Sequence, residues 1–198
     1  MTFKLGITRD VLDSKGEPSF GTAALKVLDS NPEIAWEYLP ERITEVTPDL
    51  ASHYDGLYVN SPKVTKASVG RADCKLKIIA RHGVGYDSVD VKALSERRIV
   101  LTNTPIAIRR PVAVAALTMI FALAGRLPTK DRLTRENRWH ERTNHMGVGL
   151  TPRTIGLVGA GGIGEELMKL AKPFFGRMLA ADPYAKPARV AELGAELV

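Results

Sequence analysis

The sequence predicts an α/β protein built on parallel sheets, in two parts. Three observations carry this. Short strand-like runs alternate with helical segments over residues 3–102, a spacing that gives parallel strands with helices on both faces of a sheet. The alternation breaks at Asn103-Thr104-Pro105. A second strand–turn–helix unit then forms around Gly159-Ala160-Gly161-Gly162-Ile163-Gly164.

In chain order, residues 3–8 predict the first strand and residues 16–21, with Pro18, a polar loop. Residues 22–29 predict a helix with Ala23, Leu25, Val27 and Leu28 on its apolar side. Residues 34–39, 55–60, 77–80 and 99–102 predict four more strands. Residues 64–69 predict a short helix, and residues 88–97 a longer one entered through Asp87. Pro105 biases Thr104 away from helical backbone, so the boundary between the two parts falls between Thr102 and Arg110. Pro111 suits the first turn of a helix, where its missing N–H is not needed, and Gly125 suits its end. That helix is apolar on all sides, which predicts burial against its own domain or another subunit. A charged helix over residues 129–137 and a loop over 138–152 follow. Residues 154–158 predict a strand and 165–172 a helix closed by Gly176; residues 177–181, 186–193 and 195–198 predict strand, helix and the start of a further strand.

Composition narrows the function. The net charge is +6, but lysines and arginines are scattered, without the one-sided clustering of a nucleic-acid surface. Cys74 is the only cysteine. It allows no internal disulfide and no cysteine zinc cluster, and it fits a reducing, cytoplasmic setting. Residues 1–7 lack the basic-then-apolar profile of a signal peptide. The longest uncharged apolar run, residues 111–125, is shorter than the about 20 residues of a membrane span.

The glycine turn has the parts of a dinucleotide site. Gly159 permits a tight turn, Gly161 lets a pyrophosphate approach the backbone, and Gly164 lets helix and strand pack closely. Free N–H groups and the positive end of the helix dipole then face the phosphates. Asp182 lies at the end of the next strand, where it can accept hydrogen bonds from ribose hydroxyls and repel a 2′-phosphate, favouring NAD over NADP. The alternative is a turn that only packs helix on strand, with Asp182 as a helix-entry residue. A second glycine turn, Arg81-His82-Gly83-Val84-Gly85-Tyr86-Asp87, follows the fourth strand. Its backbone N–H groups can converge on a small carboxylate. Alternatively it is a strand-to-helix turn with Asp87 as the N-cap.

Ala80 through Asp90, then Thr102-Asn103-Thr104-Pro105, Val112-Ala113, the glycine turn and Asp182-Pro183-Tyr184 together resemble the D-isomer-specific 2-hydroxyacid dehydrogenases. The resemblance implies a flavodoxin-like substrate domain over residues 1–103 and the N-terminal part of a Rossmann NAD-binding domain over 104–198. It implies that Val84 and Gly85 offer backbone N–H groups to the substrate carboxylate, with Val84 also against the nicotinamide. Gly162 and Ile163 would line the pyrophosphate and Asp182 the ribose. One departure is Val114, which stands where many members carry an acid. Just before it, Arg109-Arg110 place two cations at a helix N-terminus, read first as a solvated turn and otherwise as an anion or subunit contact.

The resemblance implies hydride transfer between NAD(H) and C2 of a small 2-hydroxy or 2-keto acid, by a homodimer. The family's catalytic Arg, acid and His come late in the NAD domain. About a hundred residues of such a domain are expected beyond Val198, so no residue here is assigned a catalytic role and the chain as given is expected to be inactive. Of His53, His82, His140 and His145, only His82 lies in the carboxylate turn, and it reads as a satisfied loop histidine. His140-Glu141 and His145 have the wrong spacing for a zinc helix, and no metal site is expected. Two other readings stand: an NAD-responsive, corepressor-like binding protein on the same scaffold, and a stand-alone substrate-domain module dimerising through residues 111–125.

Overall fold

A computed structural model describes residues 2–198 of the chain. They divide into two compact units, Met1–Pro105 and Ile106–Val198, each taken by itself below.

The first unit carries five parallel strands: β1 (Phe3–Ile7), β2 (Ile34–Tyr38), β3 (Gly56–Val59), β4 (Ile78–Arg81) and β5 (Val100–Thr102). Their order is β2-β1-β3-β4-β5, the flavodoxin-like order, with its switch point between β1 and β3. Four helices connect them: α1 (Leu25–Asp29), α2 (Pro48–His53), α3 (Lys66–Val69) and α4 (Val91–Glu96). The main core gathers Leu39, Leu57, Val59, Val64, Ile79 and Leu94. A smaller one forms around Ile7, Val11 and Leu12, with Phe20, Trp36 and Tyr58 packed on it.

Two local expectations fail here. Helix α2 is additional to the predicted elements. Thr47 caps it, its side-chain oxygen accepting from the Leu50 N–H at 3.3 Å, and Pro48 opens its first turn. Helix α4 is entered through Asp90, not Asp87: Asp90 Oδ1 accepts from the Ala93 N–H at 2.9 Å. The cause is a parallel bridge between Val64 and Val89, in which Val64 N–H donates to Ser88 O at 2.9 Å and Asp90 N–H to Val64 O at 2.7 Å. It ties residues 88–90 to Val64, so the helix starts three residues late.

The second unit opens with helices α5 (Arg109–Ala124) and α6 (Leu127–Arg135). A parallel sheet follows, built from β6 (Thr154–Val158), β7 (Arg177–Ala181) and β8 (Glu196–Leu197) in that spatial order, with α7 (Gly162–Ala171) and α8 (Pro187–Glu192) between them. These are two consecutive β-α-β units. Leu117, Ile155, Met168, Met178 and Val190 form the core, and α5 packs on α7. Helix α7 begins inside the glycine turn and ends well before Gly176.

Helix α5 is only partly covered within its own unit. Only Ala113 and Leu117 on it are buried, while Met119 and Leu123 are 61% and 74% exposed. Among the described residues no single helix is long and apolar enough to cross a membrane; only the bent pair of α5 and α6 passes that test of length and composition.

Candidate functional site

The residues marked in the sequence fall into two clusters, one in each unit. In the first, the chain leaves β4 at Arg81 and turns through Gly83, whose φ of +112° is a conformation open to glycine at little cost. The end of β5 clamps this turn. Thr104 Oγ1 accepts from the Gly83 N–H at 3.1 Å, Thr104 N–H donates to Gly83 O at 2.8 Å, and Asn103 Nδ2 donates to Val84 O at 2.8 Å. With those groups satisfied, the N–H groups of Val84 and Gly85 engage no other group among the described residues.

The neighbouring side chains are fixed around this turn. His82 N–H donates to Val59 O at 2.8 Å. The His82 ring lies 5.7 Å from the Phe20 ring centroid, and its Nδ1 meets the Tyr58 hydroxyl. Burial pushes the Tyr58 hydroxyl pKa up, so at neutral pH the phenol keeps its proton. The Arg81 guanidinium donates to the His82 carbonyl. Across the switch point, Asp10 Oδ2 accepts from the Ser61 N–H at 2.7 Å and Thr8 Oγ1 from the Asn60 N–H at 3.3 Å. Burial raises the Asp10 carboxyl, but hydrogen bonds from Thr8 and Ser61 outweigh this and hold it below its usual range.

In the second unit β6 runs into Gly159, whose φ is +97°. Gly161 is the N-cap of α7. A Cβ on Gly164 would overlap the carbonyl oxygen of Gly159, so a glycine at 164 lets α7 sit close against the turn. The N–H groups of Gly161, Gly162 and Ile163 donate to no other group among the described residues. Asp182, at the end of β7, is tied to this turn. Its Oδ2 accepts from the Ala160 N–H at 2.7 Å and its Oδ1 from the Tyr184 N–H at 2.8 Å. These two bonds hold its carboxyl below the usual Asp range. A carboxylate has about four lone-pair sites, so each oxygen keeps acceptor capacity. A cleft of about 240 Å³ opens beside it, lined by Ala160, Gly161, Asp182, Tyr184, Lys186 and Arg189 among others.

Charge around the turn is partly compensated. Glu165 meets Arg189 at 2.9 Å, which lowers the Glu165 pKa. Arg110 meets Glu166 at 2.8 Å. The Arg109 side chain lies against Gly162. Both arginines are exposed, and both lie beside the first turns of α7. Sequence reasoning did not find this contact, nor the Asn103–Thr104 clamp or the Ala160–Asp182 bond. Each joins residues distant along the chain. The only local hint was that Asn103 and Thr104 directly follow a strand.

Comparison with known proteins agrees with this architecture. Residues 11–172 match the family model for the D-isomer specific 2-hydroxyacid dehydrogenase catalytic domain. A D-3-phosphoglycerate dehydrogenase of Mycobacterium bovis is 34% identical over 178 residues, covering 89% of this chain and 33% of the relative. A glyoxylate reductase of Thermococcus onnurineus is 32% identical over 180 residues, covering 88% and 52%. The chain thus spans about a third of the first relative and about half of the second. Among solved structures, a putative D-isomer specific 2-hydroxyacid dehydrogenase, NAD-binding, from Polaromonas superposes with a TM-score of 0.79 at 23% identity, covering all of this chain and 60% of that one. The apo-structure of D-lactate dehydrogenase from Escherichia coli gives 0.76 at 22%, covering 99% and 60%. The extent of the sequence match, together with the two parallel sheets, places the chain in the D-isomer specific 2-hydroxyacid dehydrogenase family.

Proposed function

We propose that the chain supplies the substrate domain (residues 1–103) and the first half of the NAD domain (104–198) of an NAD-dependent 2-hydroxyacid dehydrogenase. The observation that carries this is the Asp182 carboxylate bonded to the Ala160 N–H at 2.7 Å. It sets a ribose acceptor directly beside a glycine turn with free N–H groups. Gly159, Gly161 and Gly164 shape that turn, Gly162 and Ile163 offer N–H groups to the pyrophosphate, and the remaining lone pairs of Asp182 accept from the ribose diol. The negative charge of Asp182 disfavours a 2′-phosphate, so NAD is preferred to NADP.

In the first unit the N–H groups of Val84 and Gly85 hold the carboxylate of a small 2-hydroxy or 2-keto acid, and Val84 also lies against the nicotinamide. The nicotinamide, when bound, supplies the hydride exchanged with C2. This chain orients the acid and the nucleotide, and none of its residues is assigned the proton transfer. The exposed apolar side chains of α5, among them Met119 and Leu123, are the surface through which a homodimer would form.

Calorimetric titration of the 198-residue chain with ADP-ribose, NADH and NADPH tests the reading. ADP-ribose and NADH are expected to bind, NADPH more weakly, and Asp182→Ala to lower ADP-ribose affinity about tenfold or more, as loss of hydrogen bonds to a charged group implies. No binding of ADP-ribose, or binding indifferent to Asp182→Ala, sinks it.

A further inference from the structure

We infer that Lys186, in the wall of the Asp182 cleft, is a specificity-determining residue for the cofactor: it takes up a phosphate on the ribose 2′ oxygen and so limits how strongly the site rejects an NADP-type nucleotide. The inference rests on the reading above and deepens it, because Asp182 by itself accounts only for the preference for NAD.

The charges that line the cleft are Glu165, Asp182, Lys186 and Arg189. Two of them are committed to each other: Arg189 holds Glu165 at 2.9 and 3.2 Å, and also reaches Glu192 at 3.0 Å. Asp182 accepts from the Ala160 and Tyr184 N–H groups at 2.7 and 2.8 Å and meets no cation among the described residues. The Lys186 ammonium has no hydrogen bond or ion pair among the described residues. Lys186 stands at the N-cap position of α8, and its side chain caps nothing there. An ammonium has no lone pair with which to accept from free N–H groups, so the helix gives no local reason for a lysine.

The uncommitted charges of the cleft are therefore one carboxylate and one ammonium, not paired with each other. The ribose diol of NAD needs only the carboxylate, which accepts from its hydroxyls. A phosphate on the 2′ oxygen adds negative charge beside that carboxylate and is repelled by it. It also adds acceptor oxygens in the space that Lys186 lines. The lysine keeps all three of its donors, and a compact point charge of this kind suits a phosphate. Lys186 thus acts on the 2′-phosphorylated nucleotide and leaves the unphosphorylated one nearly untouched.

The test is calorimetric titration of the 198-residue chain with ADP-ribose and with 2′-phospho-ADP-ribose, using wild type, Lys186→Ala and Lys186→Arg. Lys186→Ala is expected to lose about fivefold or more in affinity for 2′-phospho-ADP-ribose, the scale of a partly exposed charge contact, and to change by less than about twofold for ADP-ribose. Lys186→Arg keeps the charge and is expected to bind both ligands much as wild type does. An unchanged affinity of Lys186→Ala for 2′-phospho-ADP-ribose overturns this inference alone. So does an equal loss for both ligands, which marks a damaged cleft, or a loss in Lys186→Arg as large as that in Lys186→Ala. Wild type that binds ADP-ribose but not its 2′-phosphorylated form overturns it as well. Failure of the wild type to bind ADP-ribose overturns the underlying cofactor reading, and this inference with it.

Discussion

Gly161→Ala separates a glycine kept for a ligand from one kept for the fold. Gly161 has φ −71° and ψ −169°, extended backbone that alanine adopts freely, and no atom lies within 4 Å of the position its Cβ would take. Two small effects then oppose each other. Alanine is a poorer N-cap than glycine by about 0.5–1 kcal/mol. Losing a glycine also restricts the unfolded chain and stabilises by about 0.4–1 kcal/mol. The net change should lie within about 0.5 kcal/mol, or roughly 2–4 °C for a unit of this size. Gly164→Ala is the contrast. Its Cβ would strike the Gly159 carbonyl oxygen, a backbone atom that cannot swing aside, and the overpacking should cost about 1–3 kcal/mol. Thermal unfolding followed by circular dichroism measures both. Titration with ADP-ribose supplies the second axis: Gly161→Ala, although folded, should bind at least about tenfold more weakly, a loss of about 1.4 kcal/mol, because its methyl group occupies the phosphate's line of approach. If Gly161→Ala melts as early as Gly164→Ala, Gly161 serves packing. If its affinity is unchanged, no phosphate approaches the turn there.

Three other outcomes follow from the geometry. The Asp182 carboxyl is held below its ordinary value of 3.8 by the Ala160 and Tyr184 N–H groups, so the stability it confers is present above that value and lost as pH falls through the lowered one. The wild-type melting temperature should therefore fall more steeply with acid than that of Asp182→Asn, and parallel curves would refute this. Tyr54, whose hydroxyl donates to Glu37 at 2.9 Å, has its pKa pushed up from 10.0 to about 12 by burial and then by Glu37. The associated stability is complete below pH 10 and declines as pH rises toward 12; Tyr54→Phe should cost about 0.5–1.5 kcal/mol at neutral pH and remove that part of the alkaline decline in denaturant midpoint. Thr104→Val keeps the shape but removes the acceptor for the Gly83 N–H, costing about 1 kcal/mol, and amide exchange at Gly83 and Val84 should quicken; unchanged exchange would show that the clamp does not hold the turn.

Much of the fold was legible in the sequence because its signals are local. Residues 154–158 and 177–181 are short β-rich runs bounded by turn residues, and they coincide with Thr154–Val158 and Arg177–Ala181. The break at Pro105 has an equally local cause. Helix α2 was missed although Thr47-Pro48 is a helix-start signal, because residues 48–53 show no clear apolar period. Asp87 and Asp90 are both competent N-caps, and local sequence cannot rank them. The bridge between Val64 and Val89 decided in favour of Asp90. Composition likewise left open which face of α5 is covered: α7 packs against that helix, yet Met119 and Leu123 stay exposed.

The sequence by itself determined the alternation of strands and helices, the two glycine turns, the acid after β7 and the family resemblance these motifs carry. All follow from backbone preferences and side-chain periodicity over a few residues. Tertiary structure decided which groups those motifs meet: Thr104 with Gly83, Asp182 with Ala160, Arg109 with Gly162. Such pairings join segments brought together by strand order and helix packing. They are fixed by where the sheets place their ends, which no local pattern encodes.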